Sequence, residues 1–411
     1  MKCEMTSPET ATYPKLRALD MTPIQQGGQA LILLRDPLAL TEKSLVIPSV
    51  LGPILGLCDG TRDESGLSAA LAIRFGQRIS TSEVHQLITA LDESLFLENE
   101  RSQEALIAAQ EEFRHAPYRP PILAGVSYPE DPSELRIMLQ GYLDDVDAPP
   151  SPHEIRGLIS PHIDYERGGS VYAEGWGRAQ EAVRETNLAI IFGTNHFGSD
   201  YPLTMTRQSY ATPFGILPTN QEVVDALAKS AGEEDVFAGE LYHKGEHSIE
   251  LTAVWLHHMR DGSPIELVPV LSGSYEQFFG REDDLGKDLV IQQMADVVKS
   301  ASKDQRVLVI AAGDLSHVGP AFGGLPVDFM GRARVQATDE ELIAHICAGD
   351  AQAFFEGVSR IEDRNNVCGL SPIYLTMRML SPVSGEQVAY DRCPADLENT
   401  SIVSICSMHL Y

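Results

Sequence analysis

Apolar residues in the first hundred positions alternate between runs and stripes. "GGQALILLRDP" (27–37) sets a run between Gly-Gly and Asp-Pro, which predicts a strand between two turns. A helical stripe follows over about 65–75, through Leu67, Leu71 and Phe75. A second stripe begins behind Ser80, Thr81 and Ser82, any of which can cap a helix, and puts Val84, Leu87, Ile88, Leu91 and Leu95 on one face. "SLFLEN" (94–99) reads as a short strand, so this part of the chain predicts a small α+β module.

Residues 100–121 form a polar, partly helical connector ending in "YRPP". Beyond it Asp131 is set to cap a helix that has Pro132 in its first position and Glu134 in its first turn. Leu135, Met138, Leu139, Tyr142 and Leu143 form the buried stripe. From 156 onward, continuous apolar runs ("GLIS", "LAIIFG", "IELVPVLSG", "RVLVIAAG") alternate with helical patterns near 169–185, 221–230, 246–259 and 287–302. Strands apolar on both faces and separated by helices predict a layered α/β sandwich with a mainly parallel sheet. A hairpin-like segment at 202–218 makes that sheet mixed. The predicted domains are 1–115 and 122–411.

The chain's 411 residues suit two domains, and 43% hydrophobic with 22% charged residues is ordinary globular composition. A net charge of −28, without a basic patch, argues against nucleic acid and anionic lipid as partners. Six cysteines, at 3, 58, 347, 368, 393 and 406, contain no CxxC pair and read as thiols of a reducing compartment. No run of 18 apolar residues and no apolar leader occurs, so a cytoplasmic protein without a membrane span is expected.

Three of the predicted strands end alike. "GLIS" runs into Pro161 and His162, "LAIIFGTN" into His196, and "RVLVIAAG" into Asp314, Ser316 and His317. In open α/β sheets the carboxyl ends of the strands line the ligand crevice. One such histidine is usually a hydrogen-bonded structural residue. Several imidazoles and a carboxylate buried together cost several kcal/mol unless a cation or a dense hydrogen-bond network compensates, and a divalent metal is the simplest compensation. "YHKGEHSIEL" (242–251) adds Glu246, His247 and Glu250 in the first turns of an amphipathic helix. His243, Glu246 and His247 also spell H-x-x-E-H, the order of a zinc metallohydrolase helix. Gly245 instead predicts a loop entering the helix.

"ISPHIDYERGGSVYAEGW", "IIFGTNHFG", "GEHSIEL", "GDLSHVGPAFG" and "NVCGLSPI", in that order, resemble the Memo-like family, in bacteria called AmmeMemoRadiSam system protein B. The resemblance spans about 123–411. It implies the fold of class III extradiol dioxygenases, whose non-haem Fe(II) is held by two histidines and a carboxylate. It implies His162 and His196 as metal ligands and His247 as the acid/base group. Animal relatives carry a cysteine ligand in a D-x-C-H motif where this chain has "DLSH", so Ser316 occupies that position and Asp314 or His317 can replace it. Alternation along an extended segment favours Asp314, which would complete a facial triad open to substrate and O₂. Fe(II) is the metal expected first, with Zn(II), Mn(II) or copper as the others. The segment "LCDGTRDESGL…VHQLITALDESLFLE" resembles PqqD-like winged-helix modules. That likeness implies a peptide or a radical-SAM enzyme as partner; a helix bearing Glu83, Asp92 and Glu93 without a Lys or Arg does not suit DNA.

The functional expectation is therefore a metal-binding, dioxygenase-type enzyme acting on a small oxygenated substrate. Its alternatives are a non-catalytic metal-binding scaffold and a zinc metallohydrolase. In the first, His247 moves a proton, Glu246 and His317 assist, and Tyr165 and Asn195 orient substrate. Gly168 and Gly169 read as packing glycines, or as backbone N–H donors to an anion; Cys368 reads as a small buried hydrophobe before a helix, or as a reactive thiol; and Asp164 reads as a support for the loop or pocket wall.

Overall fold

A computed structural model describes residues 13–147, 149–151, 154–197, 202–280, 285 and 288–411. Cys3 and the rest of the first twelve residues lie outside them. The chain divides into two compact units, Met1–Glu112 and Phe113–Tyr411.

In the first unit, β1 (Asp20–Gln26) and β2 (Gln29–Arg35) form a hairpin across Gly27 and Gly28, which both have positive φ. Only glycine takes such a two-residue turn at no steric cost. β3 (Leu45–Pro48) completes a three-stranded antiparallel sheet. Two helices lie where the stripes place them, Glu64–Phe75 and Thr81–Glu93, the second opened by a capping box between Ser80 and Glu83. The stripe ends overreach. Phe75 is exposed, and Leu95 lies beyond the helix at φ 60°. "SLFLEN" is not a strand but a single bridge from Leu97 to Leu16. A third long helix, Glu100–His115, occupies most of the expected connector.

The second unit is a mixed α/β domain. Four strands are mutually parallel in the order β4 (Gly157–Ser160), β10 (Val307–Ala312), β5 (Leu188–Thr194), β9 (Glu266–Ser272). β6 (Leu203–Met205) adds antiparallel to β9, while β7 (Tyr210–Thr212) and β8 (Gly215–Leu217) form a separate two-stranded sheet, with Tyr210 of β7 also bridged to Arg119. The other edge is antiparallel too: β13 (Ile402–Leu410) joins β4 and carries β11 (His317–Val318) and β12 (Gly385–Pro394). The apolar pattern did not foretell these C-terminal strands.

Helices cover both faces of the sheet, so alternate residues of one strand enter different cores. Leu188, Ile190 and Phe192 pack under the Gln221–Ala231, Leu289–Asp304 and Leu370–Leu380 helices. Ala189 and Ile191 pack under the Pro132–Asp144, Tyr165–Arg178 and Ser248–Met259 helices. One expected helix is interrupted: the 169–185 pattern is Tyr165–Arg178 followed by Gln180–Glu185. The 246–259 pattern is a single helix, Ser248–Met259, that starts two residues late, behind a separate turn at Tyr242–Gly245 and an extended Glu246. No helix among the described residues is long and apolar enough to cross a membrane.

Candidate metal centre

The parallel strands β4, β5 and β10 all end at one cleft, and each delivers its polar residue two positions past its last strand residue. His162 follows β4, His196 follows β5 and Asp314 follows β10. His247 arrives from the break before the Ser248–Met259 helix. The cleft measures about 540 Å³ and is walled by Leu123, Leu251, Phe322 and Val403 as well as the polar groups. A more apolar cavity is lined by Leu203, Val236, Phe278 and Ile291, with no histidine or cysteine among the described residues of its wall.

The three imidazoles converge. Ring centroids are 4.9 Å apart for His162 and His196, 4.8 Å for His196 and His247, and 5.5 Å for His162 and His247. One nitrogen from each lies within 4.8 Å of the others. Ligands around a single ion sit roughly 3–4 Å apart, so small rotations would close the set.

Each ring's other nitrogen is engaged. Nδ1 of His162 lies 3.0 Å from the Ala312 carbonyl, an acceptor only, so that nitrogen carries the proton and Nε2 keeps its lone pair. Nδ1 of His196 lies 3.1 Å from both oxygens of Glu246. Nδ1 of His247 lies 3.2 Å from the same carboxylate. Glu246, itself fully buried, also accepts the backbone N–H groups of His196, His247 and Ser248. This is the outer-shell support that orients metal-binding imidazoles elsewhere.

Electrostatics follow from this packing. Burial, aided by His196, pulls the His162 pKa down to about 3. Burial likewise lowers His247 to about 4, against the pull of Glu246. Desolvation acts in the same sense on His196, but the Glu246 carboxylate outweighs it and the net shift is upward. Burial works to raise Glu246, yet His196 and His247 hold it well below the usual carboxylate range. Burial raises Asp314 despite neighbouring imidazoles.

Asp314 is buried at the floor of the cleft, where its Oδ1 accepts the His162 N–H at 2.8 Å and its Oδ2 lies 3.8 Å from His162 Nε2. His317 lines the wall beside Phe322 and belongs to neither cluster of converging donors. Ser316 points elsewhere: its hydroxyl donates to Asp339 at 2.7 Å and accepts from Asn365. Strict alternation would have put Asp314 and Ser316 on one side. The chain leaves regular strand geometry after Ala312, so that reading does not hold.

Tyr165 does not line the cleft. It is buried against Tyr128, Tyr172 and Trp255, and its hydroxyl donates to the Leu251 carbonyl. Asn195 faces an adjoining cavity that His196 also borders. Asp164 caps the Tyr165–Arg178 helix and pairs with Arg167 at the cleft's rim. Gly168 and Gly169 are packing glycines: a Cβ would lie 2.5 Å from Ile163 and 2.4 Å from the Tyr142 ring. H-x-x-E-H is no helical motif here. His243 is buried with Nδ1 on the Tyr210 hydroxyl and Nε2 3.1 Å from the Thr204 carbonyl, leaving no lone pair for a metal.

Cys368 is the residue whose placement sequence reading missed. Its Sγ lies 3.2 Å from His162 Nε2, and donors of His162, Asp314 and Cys368 form a second cluster within 4.8 Å. The signal was its "NVCGL" motif, which loops back to the end of β10 only in three dimensions.

A family model described as Memo-like protein matches residues 119–409. The chain belongs to the Memo-like family. Similar curated relatives are called MEMO1 family proteins. One, from Aquifex aeolicus, is 29% identical over 311 residues, covering 75% of this chain and 77% of its own. Another, from Methanopyrus kandleri, is 28% identical over 286 residues, covering 66% and 91%. The Memo-like match takes in every cleft residue described above and ends before Leu410. Three converging imidazoles, only His162 of them fully buried, beside the Asp314 carboxylate give this Memo-like cleft a donor set that suits a divalent ion.

Proposed function

We propose that the Memo-like domain is a divalent-metal centre that binds a small oxygenated molecule and acts on it by dioxygenase-type chemistry. The observation that carries this reading is the convergence of His162, His196 and His247 with their Nδ1 atoms engaged elsewhere. His162 and His196 would hold the ion, with Asp314 beside them as the carboxylate. When bound, the metal supplies a Lewis acid for a substrate oxygen and open sites for O₂.

The remaining work falls to the protein. His247, neutral at pH 7, accepts a proton at Nε2 while Glu246 stabilises the imidazolium that results. Leu123, Leu251, Phe322 and Val403 line the cleft as its apolar wall. Fe(II) fits the mixed nitrogen and oxygen donors, and the family's likeness to extradiol dioxygenases supports that choice.

Elemental analysis of anaerobically purified wild type, His162→Ala and His196→Ala tests the reading. Each variant should lose most of the metal; equal content in all three would sink it.

A second reading is a metal-binding scaffold whose N-terminal unit presents a peptide to a radical-SAM enzyme. One feature favours it: β1 is exposed along nearly its whole length, and its outer edge pairs with nothing among the described residues. Such an edge can accept an added strand. Protection of β1 amides from hydrogen exchange when a radical-SAM enzyme is added would support it, and unchanged exchange would count against it.

A further inference from the structure

Resting on the metal-centre reading, we propose that the cavity sharing His196 with the cleft is a substrate subsite for an amine that also carries a carbonyl oxygen. Asn195 donates to that oxygen, and Asp363 with Glu276 receives the ammonium group. The cavity measures about 350 Å³, within the range of small-molecule sites. It lies where β5, β9 and the Leu370–Leu380 helix meet, and Asn195, Gly273 and Ser371 stand in its wall.

Asn195 is only 6% exposed, and its side chain is half used. Its Oδ1 accepts the Phe197 N–H at 3.2 Å, which fixes the orientation of the amide. Its Nδ2 is buried and has no hydrogen-bond partner among the described residues. The backbone is held as well, since the Asn195 N–H donates to the Ser272 carbonyl at 2.9 Å. A buried donor without an acceptor costs more than a satisfied one contributes, so an unpaired amide in a cavity wall calls for an acceptor from outside the chain. The Leu370–Leu380 helix begins at the same wall with no side chain capping its first turn, and the partial positive charge of a helix start favours an oxygen there too.

The carboxylates supply the opposite sign. Asp363 and Glu276 line the cavity, with no Lys or Arg among the described residues of its wall. Burial, aided by the Glu276 charge, pushes the Asp363 carboxyl up to about 6 against the pull of the Val367 N–H. Two carboxylates that repel each other in a partly desolvated space are stabilised by a cation beside them. The loop that carries Asp363 is also tied to the metal centre. The His317 N–H donates to the Asn365 carbonyl at 2.6 Å, and Asn366 Nδ2 donates to the His317 carbonyl at 2.9 Å, three positions from Asp314. His196 borders both spaces, so a molecule seated in the subsite reaches the cleft beside a proposed ligand.

An NMR titration of ¹⁵N-labelled, metal-free, full-length protein with three related amides tests this. β-Alaninamide carries an ammonium group, propanamide is neutral and succinamate carries a carboxylate. β-Alaninamide should bind about 10-fold more tightly than propanamide, succinamate should bind most weakly, and the Asn195 side-chain signal should move. Asn195→Asp keeps the acceptor for the Phe197 N–H and removes the donor, so its affinity for propanamide should fall about 10-fold. In Asp363→Asn combined with Glu276→Gln, the preference for β-alaninamide over propanamide should vanish. Equal affinity for the three amides, a preference that survives the double variant, or no movement of the Asn195 signal would overturn the subsite and leave the metal centre standing. The expected amide binding together with equal metal in wild type and His162→Ala would overturn the metal centre alone. Should Asn195→Asp fail to fold, the Gly273 and Ser371 backbone signals of wild type decide: movement with β-alaninamide is expected, and none refutes the subsite.

Discussion

Glu246 holds His196 by both ends: its carboxylate accepts the backbone N–H at 2.9 Å and faces the ring Nδ1 at 3.1 Å. The same buried group braces His247. Under the proposed metal-centre reading its role is to position the rings that would hold the ion. Glu246→Gln preserves volume but removes the charge that orients and polarises both imidazoles. Zinc affinity measured by chelator competition should fall about 10–100-fold. Circular dichroism unchanged from wild type would assign that loss to the site rather than to unfolding.

Arg119 secures the segment that carries Glu246. Its guanidinium, fully buried, pairs with Glu250 and donates to the carbonyls of His243 and Glu246. Removing one partner of a buried ion pair leaves the other charge uncompensated. Arg119→Met should therefore lose about 3–5 kcal/mol in urea unfolding. A loss under 1 kcal/mol would mean that Glu250 is satisfied by Tyr128 and the backbone of Ile122 and Leu123 alone.

His243 provides the contrast to the cleft histidines. It satisfies Tyr210 and Thr204 inside the core, so His243→Ala should leave metal content near the wild-type value. Leaving those buried groups unpaired should lower stability by about 1–3 kcal/mol. Metal loss matching that of His162→Ala would refute the separation.

Acid should destabilise the domain through its buried neutral histidines. Burial lowers His243 to about 3 and His257 and His258 to about 4. The unfolded chain binds a proton on each near pH 6.5, where the fold binds none. Stability is thus unaffected by these groups above that pH and falls as pH drops from about 6.5 towards 4. At about 1.4 kcal/mol per pKa unit, each group accounts for on the order of 2 kcal/mol or more. Tm measured from pH 7 to 4.5 should fall, with a shallower slope in His257→Gln. Parallel slopes would exclude His257 as a contributor.

Gly169 tests the packing reading of the paired glycines. A methyl group there would press into the Tyr142 ring, so Gly169→Ala should cost about 1–3 kcal/mol by overpacking. A matched Gly169→Ala, Tyr142→Leu pair should recover part of it.

Strong periodicity made much of the fold legible. Apolar runs such as "LAIIFG" had to be strands buried on both faces, because a strand fills two cores with alternate residues, and Leu188 through Phe192 do so. Boundaries were less legible where local geometry interrupts the pattern. Glu246 delays the start of the expected 246–259 helix to Ser248, because its extended backbone lets one carboxylate reach three N–H groups, an arrangement invisible to hydrophobic spacing. The edge strands β11 to β13 escaped notice because their partners are distant in the chain.

The sequence by itself determined that His162, His196 and Asp314 would stand at carboxyl ends of parallel strands, since an apolar run that stops at a polar residue marks where the sheet meets solvent. Which atoms face one another was decided only by tertiary structure. Departure from the strand after Ala312 turned Ser316 away, and contact between Gly313 and Gly369 brought Cys368 beside His162 from more than 200 positions away in the chain. Contacts of that kind depend on backbone approach and packing between remote segments, for which local pattern holds no signal.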